Sequence, residues 1–122
     1  TGSYVSTHKG INKVSFTGST EVGYIIMRNS HKENLKPITL ELGGKSANVI
    51  CGDADLEVAI NQACVLFGNN GQSCVAGSRT YVHESIYDKF VEGCIKYANN
   101  LVVGDPLDEN TNQGAIVSKE QF

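Results

Sequence analysis

Three short stretches place side chains with usable chemistry at glycine-marked turns. Residues 69–77, NNGQSCVAG, hold Cys74 in a polar loop between an apolar run and a strand-like run. A nucleophilic cysteine needs access, thiolate character and N–H donors for the oxyanion it creates. Flexible backbone on both sides of Cys74 lets its own N–H face a bound substrate. In LELGGKS, residues 40–46, Glu41 closes a strand and precedes two glycines. Open α/β sheets place ligand chemistry at that end of a strand; the alternative is a Glu that pairs with Lys45 or points to solvent. In FTGSTEVG, residues 16–23, a strand runs through Gly18 into a helix start. N–H groups and the helix dipole there suit a pyrophosphate, with Gly18 allowing close approach and Ser19 adding a hydroxyl. Only the glycines at 18 and 23 are present, short of G-x-G-x-x-G, so an ordinary strand-to-helix turn fits the same residues.

Cys74 is the odd cysteine of four. Cys51, Cys64, Cys74 and Cys94 are spaced 13, 10 and 20 residues apart, with no C-x-x-C pair. His8, His31 and His83 fall at no metal-ligand spacing, so no metal site is expected. So few cysteines in a chain this apolar argue for free thiols in a reducing compartment. Cys51 in a strand, Cys64 in a helix and Cys94 on a helical apolar stripe read as packing residues.

The elements that must position these loops alternate. Residues 12–16, NKVSF, and 36–42, KPITLEL, read as strands, the second entered at Pro37. Between them, 21–30 reads as a short helix capped by Ser19 or Thr20, with Val22, Ile25 and Ile26 as its apolar residues. Residues 47–51, ANVIC, form a third strand. A helix over 53–69, capped by Asp53 or Asp55, carries Leu56, Ala59, Ile60, Ala63 and Phe67 at helical spacing and runs into the cysteine loop. RTYVH, 79–83, is a strand. Residues 84–103 read as a helix with a capping box at Ser85 and Asp88 and a stripe of Ile86, Phe90, Val91, Cys94, Ala98 and Leu101. Gly104–Pro106 ends it, and 107–122 is a loop. Alternating strands and helices predict an α/β chain with a mainly parallel sheet.

Composition narrows the classes. The 122 residues are 40% hydrophobic and 19% charged, which is globular and not disordered. A net charge of −3 offers no basic footprint for nucleic acid or an anionic membrane. No apolar run approaches the roughly 20 residues that span a bilayer. The opening TGSYVSTHKG has neither a basic start nor an apolar signal segment, and the single Met is Met27, so an internal start is expected and upstream targeting stays open.

Taken in order, the phosphate turn, the strand-end Glu and the loop Cys resemble the NAD(P)-dependent aldehyde dehydrogenase superfamily. The resemblance rests on FTGSTEVG, LELGGKS and GQSCVAGSR, with GDPLDENTNQG fitting the family's later segment. It implies an oxidoreductase that converts an aldehyde to a carboxylic acid with NAD or NADP. Cys74 would attack the aldehyde carbon and form a thiohemiacetal. Hydride transfer would then leave a thioester, and Glu41 would activate the water that hydrolyses it. The backbone N–H of Cys74 would be one oxyanion donor. Thr17, Gly18 and Ser19 would lie by the cofactor diphosphate, with Gly23 packing the helix close to the sheet.

The resemblance also implies a fold: residues 1–43 finish a Rossmann-like nucleotide-binding domain, and residues 44–122 begin the catalytic α/β domain. Family members are several times longer, so the chain reads as an internal piece whose parent is a homodimer or homotetramer. The free thiols point to the cytoplasm, with a mitochondrial location left open. The family's side-chain oxyanion donor and its ribose-binding residues fall outside these residues. Ser73 before Cys74 departs from members with adjacent cysteines, and LFGNN departs from the common Phe-rich version. Three other readings compete: a non-catalytic member, an acyl-transferring one in which coenzyme A takes the thioester, and a plain nucleotide-binding module. Acyl-transferring members typically lack a carboxylate at the position of Glu41, and a nucleotide-binding module leaves Cys74 without a role.

Overall fold

The computed structural model describes residues 1–32 and 34–122. The chain divides into two compact units, Thr1–Gly43 and Gly44–Phe122. Each contains a strand, a helix and a second strand parallel to the first. Parallel neighbours need such a crossover because a tight turn cannot join them.

In the first unit, helix α1 spans Gly2–Thr7, strand β1 Val14–Thr17, helix α2 Thr20–Ser30 and strand β2 Ile38–Glu41. β1 and β2 pair in parallel, from Val14 opposite Ile38 to Thr17 opposite Glu41. Side chains alternate along each strand. Val14, Phe16, Ile38 and Leu40 are buried or half-buried, while Ser15, Thr17, Thr39 and Glu41 are exposed. One face of this sheet is thus apolar and packed, and the other wholly polar.

Helix α2 is capped by Ser19, whose hydroxyl accepts from the Val22 N–H. Its packed side differs from the expected one. Gly23 and Ser30 are buried and Ile26 is half-buried, whereas Val22 and Ile25 face outward. Small residues decide this: a Cβ on Gly23 would lie 2.8 Å from Leu42 Cδ2, so the glycine sets how closely α2 approaches the chain after β2. Helix α1 has no counterpart in the sequence reading. GSYVST is a poor helix former, and tertiary bonds hold it: buried Lys36 donates through Nζ to Ser6 O at 3.1 Å and to His8 O at 2.8 Å.

In the second unit, strand β3 spans Ala47–Ile50, helix α3 Leu56–Cys64, strand β4 Arg79–Val82 and helix α4 Tyr87–Asn99. β3 and β4 pair in parallel from Ala47–Arg79 to Ile50–Val82. The core joins Ile50, Ala63 and Phe90, with Leu56, Ala59, Ile60, Val82, Ile86, Val91 and Cys94 packed around them. Gly93 lets the two helices meet, since a Cβ there would lie 2.2 Å from Ile60 Cδ1.

Of the two caps expected for α3, Asp55 forms it, accepting from Val58 N–H at 3.0 Å. Three local expectations change here. The α-helix stops at Cys64, and Val65–Asn69 tighten into a 3₁₀ turn. The capping box at Ser85 and Asp88 does not form. Glu84–Ile86 is a 3₁₀ turn in which the Ser85 N–H donates to His83 Nδ1 at 3.2 Å and the Ile86 N–H to His83 O at 3.2 Å. Finally, α4 ends at Asn99: the Asn99–Asn100 pair is a weak helix former, and β-branched Val102 and Val103 go on as extended chain. Val103 bridges to Gln113, and Asn112 N–H and Gln113 N–H donate to Val102 O at 2.8 and 3.1 Å.

Candidate functional site

Within the first unit, parallel register brings the strand-end residues side by side. Thr17 pairs with Glu41 at the C-terminal ends of β1 and β2, and Gly18 N–H donates to Glu41 O at 3.0 Å. Glu41 is exposed, on the same polar face as Thr17. The Gly18 N–H is therefore committed to the strand ladder. The donors open to an anion are those of the first turn of α2, which lack intrahelical partners, apart from the Val22 N–H that Ser19 caps. Gly18 itself answers to packing, because a Cβ there would lie 2.5 Å from the Phe16 ring.

Cys74 belongs to the second unit. Its loop, residues 70–78, starts from two consecutive left-handed residues, Asn70 at φ 52° and Gly71 at φ 70°. Asparagine and glycine are the residues that tolerate this conformation. Reversal there ends the 3₁₀ turn, with Gly71 N–H donating to Leu66 O at 2.8 Å. Cys74 follows, exposed, and among the described residues nothing accepts from its N–H. Its carbonyl lies against Gly44, where a Cβ would come within 2.9 Å of Cys74 O. Beyond the loop, Arg79 Nε donates to Lys45 O at 2.8 Å, tying the start of β4 to the chain before β3.

The four thiols separate by environment. Cys64 is buried and Cys94 half-buried. Burial pushes the Cys64 thiol up to about 11, and the neighbouring Cys94 thiol adds to the rise. Cys51 departs from expectation: β3 stops one residue earlier at Ile50, and Cys51 is exposed. Neither exposure nor an unpaired N–H therefore separates Cys74 from Cys51; its place on an irregular loop does.

Sequence reasoning passed over the side chains that hold this loop. Gln72 and Asn69 exchange amide bonds: Asn69 Nδ2 donates to Gln72 O at 3.0 Å, and Gln72 Nε2 to Asn69 O at 3.2 Å. Gln72 Oε1 accepts from Val117 N–H at 2.9 Å, and Gln113 Nε2 donates to Phe67 O. A polar amide beside a turn was the only local signal, and partners 45 and 46 residues away leave no periodic trace.

Two parallel strand–helix–strand units define an α/β chain, with a carboxylate ending one strand and a loop thiol in the second unit. The aldehyde dehydrogenase family model matches residues 1–122. The chain belongs to that family. It is 51% identical to retinal dehydrogenase 2 of Taeniopygia guttata over 122 residues, covering 99% of this chain and 24% of the relative. The human mitochondrial aldehyde dehydrogenase matches at the same identity and coverage, 51%, 99% and 24%. The chain thus spans about a quarter of the length of these relatives. Among solved structures, betaine aldehyde dehydrogenase from Staphylococcus aureus in complex with NAD+ superposes with a TM-score of 0.87 at 43% identity, over 98% of this chain and 24% of that one. An NADP-dependent enzyme of E. coli superposes with a TM-score of 0.92 at 36% identity, over 98% and 25%. Among the described residues no helix is long and apolar enough to cross a membrane.

Proposed function

We propose that the full-length protein containing this chain oxidises an aldehyde to a carboxylic acid with NAD or NADP. The proposal assigns Thr1–Gly43 to the end of the cofactor-binding domain and Gly44–Phe122 to the start of the catalytic one. The observation that carries it is Cys74, an exposed thiol on a pinned loop with its own N–H unpaired, in a chain matched throughout by the aldehyde dehydrogenase family. Cys74 Sγ attacks the aldehyde carbon, and the carbonyl oxygen takes up the negative charge. The Cys74 N–H donates to that oxyanion.

The residues at the start of α2 fit a dinucleotide: an exposed turn, Thr17–Gly18–Ser19, opens a helix of eleven residues, Thr20–Ser30. First-turn N–H groups and the positive helix end suit a diphosphate there. Gly23 seats the helix close to Leu42. Bound at this turn, NAD(P) supplies the acceptor for the hydride that leaves the thiohemiacetal carbon. Cys74 then carries the acyl group as a thioester. Glu41 takes a proton from water, the resulting hydroxide attacks the acyl carbon, and the thiolate leaves with the bonding pair. Exposed carboxylate oxygens at a strand end suit that role. Free thiols fit a reducing compartment, cytoplasmic or mitochondrial. Association as a homodimer or homotetramer follows from the same family reading.

The test is turnover of the full-length protein with acetaldehyde and NAD. Cys74→Ala abolishes it, while Cys51→Ala and Cys94→Ala retain it; a Cys74→Ala protein with most of its rate would overturn the assignment. Glu41→Gln gives a burst of NADH near one per site and then a slow steady rate, because an amide takes no proton from water. Unchanged turnover with no burst removes Glu41 from the mechanism.

A further inference from the structure

We infer that Gln72 is a positioning residue for the Cys74 thiol, acting through a clasp between the cysteine loop and residues 113–117. The inference rests on Cys74 being the nucleophile. Gln72 is half-buried, two residues before Cys74, and both ends of its amide are used. Oε1 accepts from Val117 N–H at 2.9 Å, and Nε2 donates to Asn69 O at 3.2 Å. Its backbone is engaged as well: Gln72 N–H donates to Asn69 O at 2.9 Å, and Gln72 O accepts from Asn69 Nδ2 at 3.0 Å. The other side of the clasp answers in kind, with Gln113 Nε2 donating to Phe67 O. Residues 112–113 are themselves fixed by backbone bonds to Val102 and Gly104. The loop has no sheet ladder, so these side-chain amides connect it to chain more than forty residues away in sequence.

A glutamine suits the task because it donates and accepts at once. Glutamate at 72 keeps the acceptor for Val117 N–H but sets a carboxylate against Asn69 O. Methionine matches the size and makes neither bond. Both partners are neutral, so the clasp holds independently of pH. Freed from it, residues 72–74 can rotate, which moves Sγ and the Cys74 N–H together. Misplacement of reacting groups by about 1 Å can cost about 100-fold in rate, so a loss of about 10- to 100-fold in kcat is expected.

The experiment uses the full-length protein with Gln72→Met, Gln72→Glu, Gln113→Ala and Cys74→Ala. Turnover with acetaldehyde and NAD, KM for NAD, the rate of the NADH burst, and the pH profile of Cys74 alkylation by iodoacetamide are measured beside thermal melts. Support is a fall of about 10- to 100-fold in kcat and burst rate for Gln72→Met, an unchanged KM for NAD, and an altered alkylation profile. A smaller fall in Gln113→Ala, which loosens the clasp from its other side, supports it further. The inference is overturned if Gln72→Met keeps kcat and alkylation as in the parent, or if its kcat falls only in proportion to lost folded protein. Should Gln72→Met not fold, Gln72→Glu and Gln113→Ala decide by the same criteria. If Cys74→Ala itself retains turnover, the nucleophile assignment fails; if Cys74→Ala is dead and the Gln72 variants are normal, only the positioning role fails.

Discussion

Glu41 ends a strand paired residue by residue with its neighbour, whereas Cys74 sits in a loop with no ladder. Backbone bonds that any sequence can make hold Glu41: β1 and β2 in register, then Gly18 N–H on Glu41 O. Cys74 depends on particular side chains, Asn69, Gln72 and Gln113, and on the missing side chain of Gly44. In the roles proposed for them, a carboxylate that handles water tolerates a simple support at a strand end, whereas a thiol that must meet a carbonyl carbon and an oxyanion donor together needs tighter placement. The Cys74 loop should therefore be the more sensitive of the two to conservative changes around it.

Gly44→Ala tests that sensitivity most directly. The new Cβ would lie 2.9 Å from the Cys74 carbonyl oxygen, a backbone atom that cannot swing aside, so the loop must shift. At the adjacent Gly43, no described residue lies within 4 Å of the Cβ position. In the full-length protein Gly44→Ala is expected to lower kcat by about tenfold or more, and Gly43→Ala to leave it near the parent value. Equal behaviour of the two would dissolve the contrast.

Lys36→Met probes the first unit, where support is expected to be a matter of stability and not of rate. Lys36 is 3% exposed and its ammonium ties two carbonyls at the end of α1. Methionine keeps the length and removes both bonds, leaving Ser6 O and His8 O without that donor. A loss of about 1–3 kcal/mol is expected by urea unfolding, with faster hydrogen exchange over residues 2–8. Parent-like exchange there would show that α1 holds without the lysine.

What the sequence disclosed divides along the same line. β2, β3, β4 and the cap of α2 were legible because alternation, apolar runs and cap chemistry are local signals. So was the parallel α/β order. Helix α1 was not, since GSYVST has no helical preference and owes its form to a lysine thirty residues away. The outward turn of Val22 and Ile25 was hidden because Gly23 and Ser30, small and weakly apolar, make the contact instead. The early stop of α3 and the clasp around Cys74 arise from a left-handed Asn70–Gly71 pair and from bonds to residues 113 and 117. Where a candidate residue rests on such distant bonds, a motif discloses the residue but not what holds it.

The smallest expected effect contrasts Cys74 with the thiol at the other extreme of exposure. Cys64 is 2% exposed, and burial, aided by the Cys94 thiol beside it, raises it from an ordinary 9.0 to about 11. The buried group is favoured as the neutral thiol. Below pH 9 it is protonated whether the chain is folded or not, and its contribution is fully present. Between pH 9 and about 11 the unfolded chain releases this proton while the folded one keeps it, so the unfolded state binds fewer protons and stability falls as pH rises. Above about 11 both states are ionised and this group adds no further slope. Urea unfolding of the full-length protein at pH 8, 9.5 and 10.5 should therefore show a steeper alkaline loss in the parent than in Cys64→Val, which fills similar space without a titrating proton. At pH 8 buried Cys64 stays the neutral thiol, so iodoacetamide should label Cys74 while Cys64 stays unmodified in the folded protein. Matching alkaline slopes in parent and variant, or Cys64 labelled as fast as Cys74, would mean that α3 and α4 open readily and that the second unit is not the firm base its cysteine loop requires.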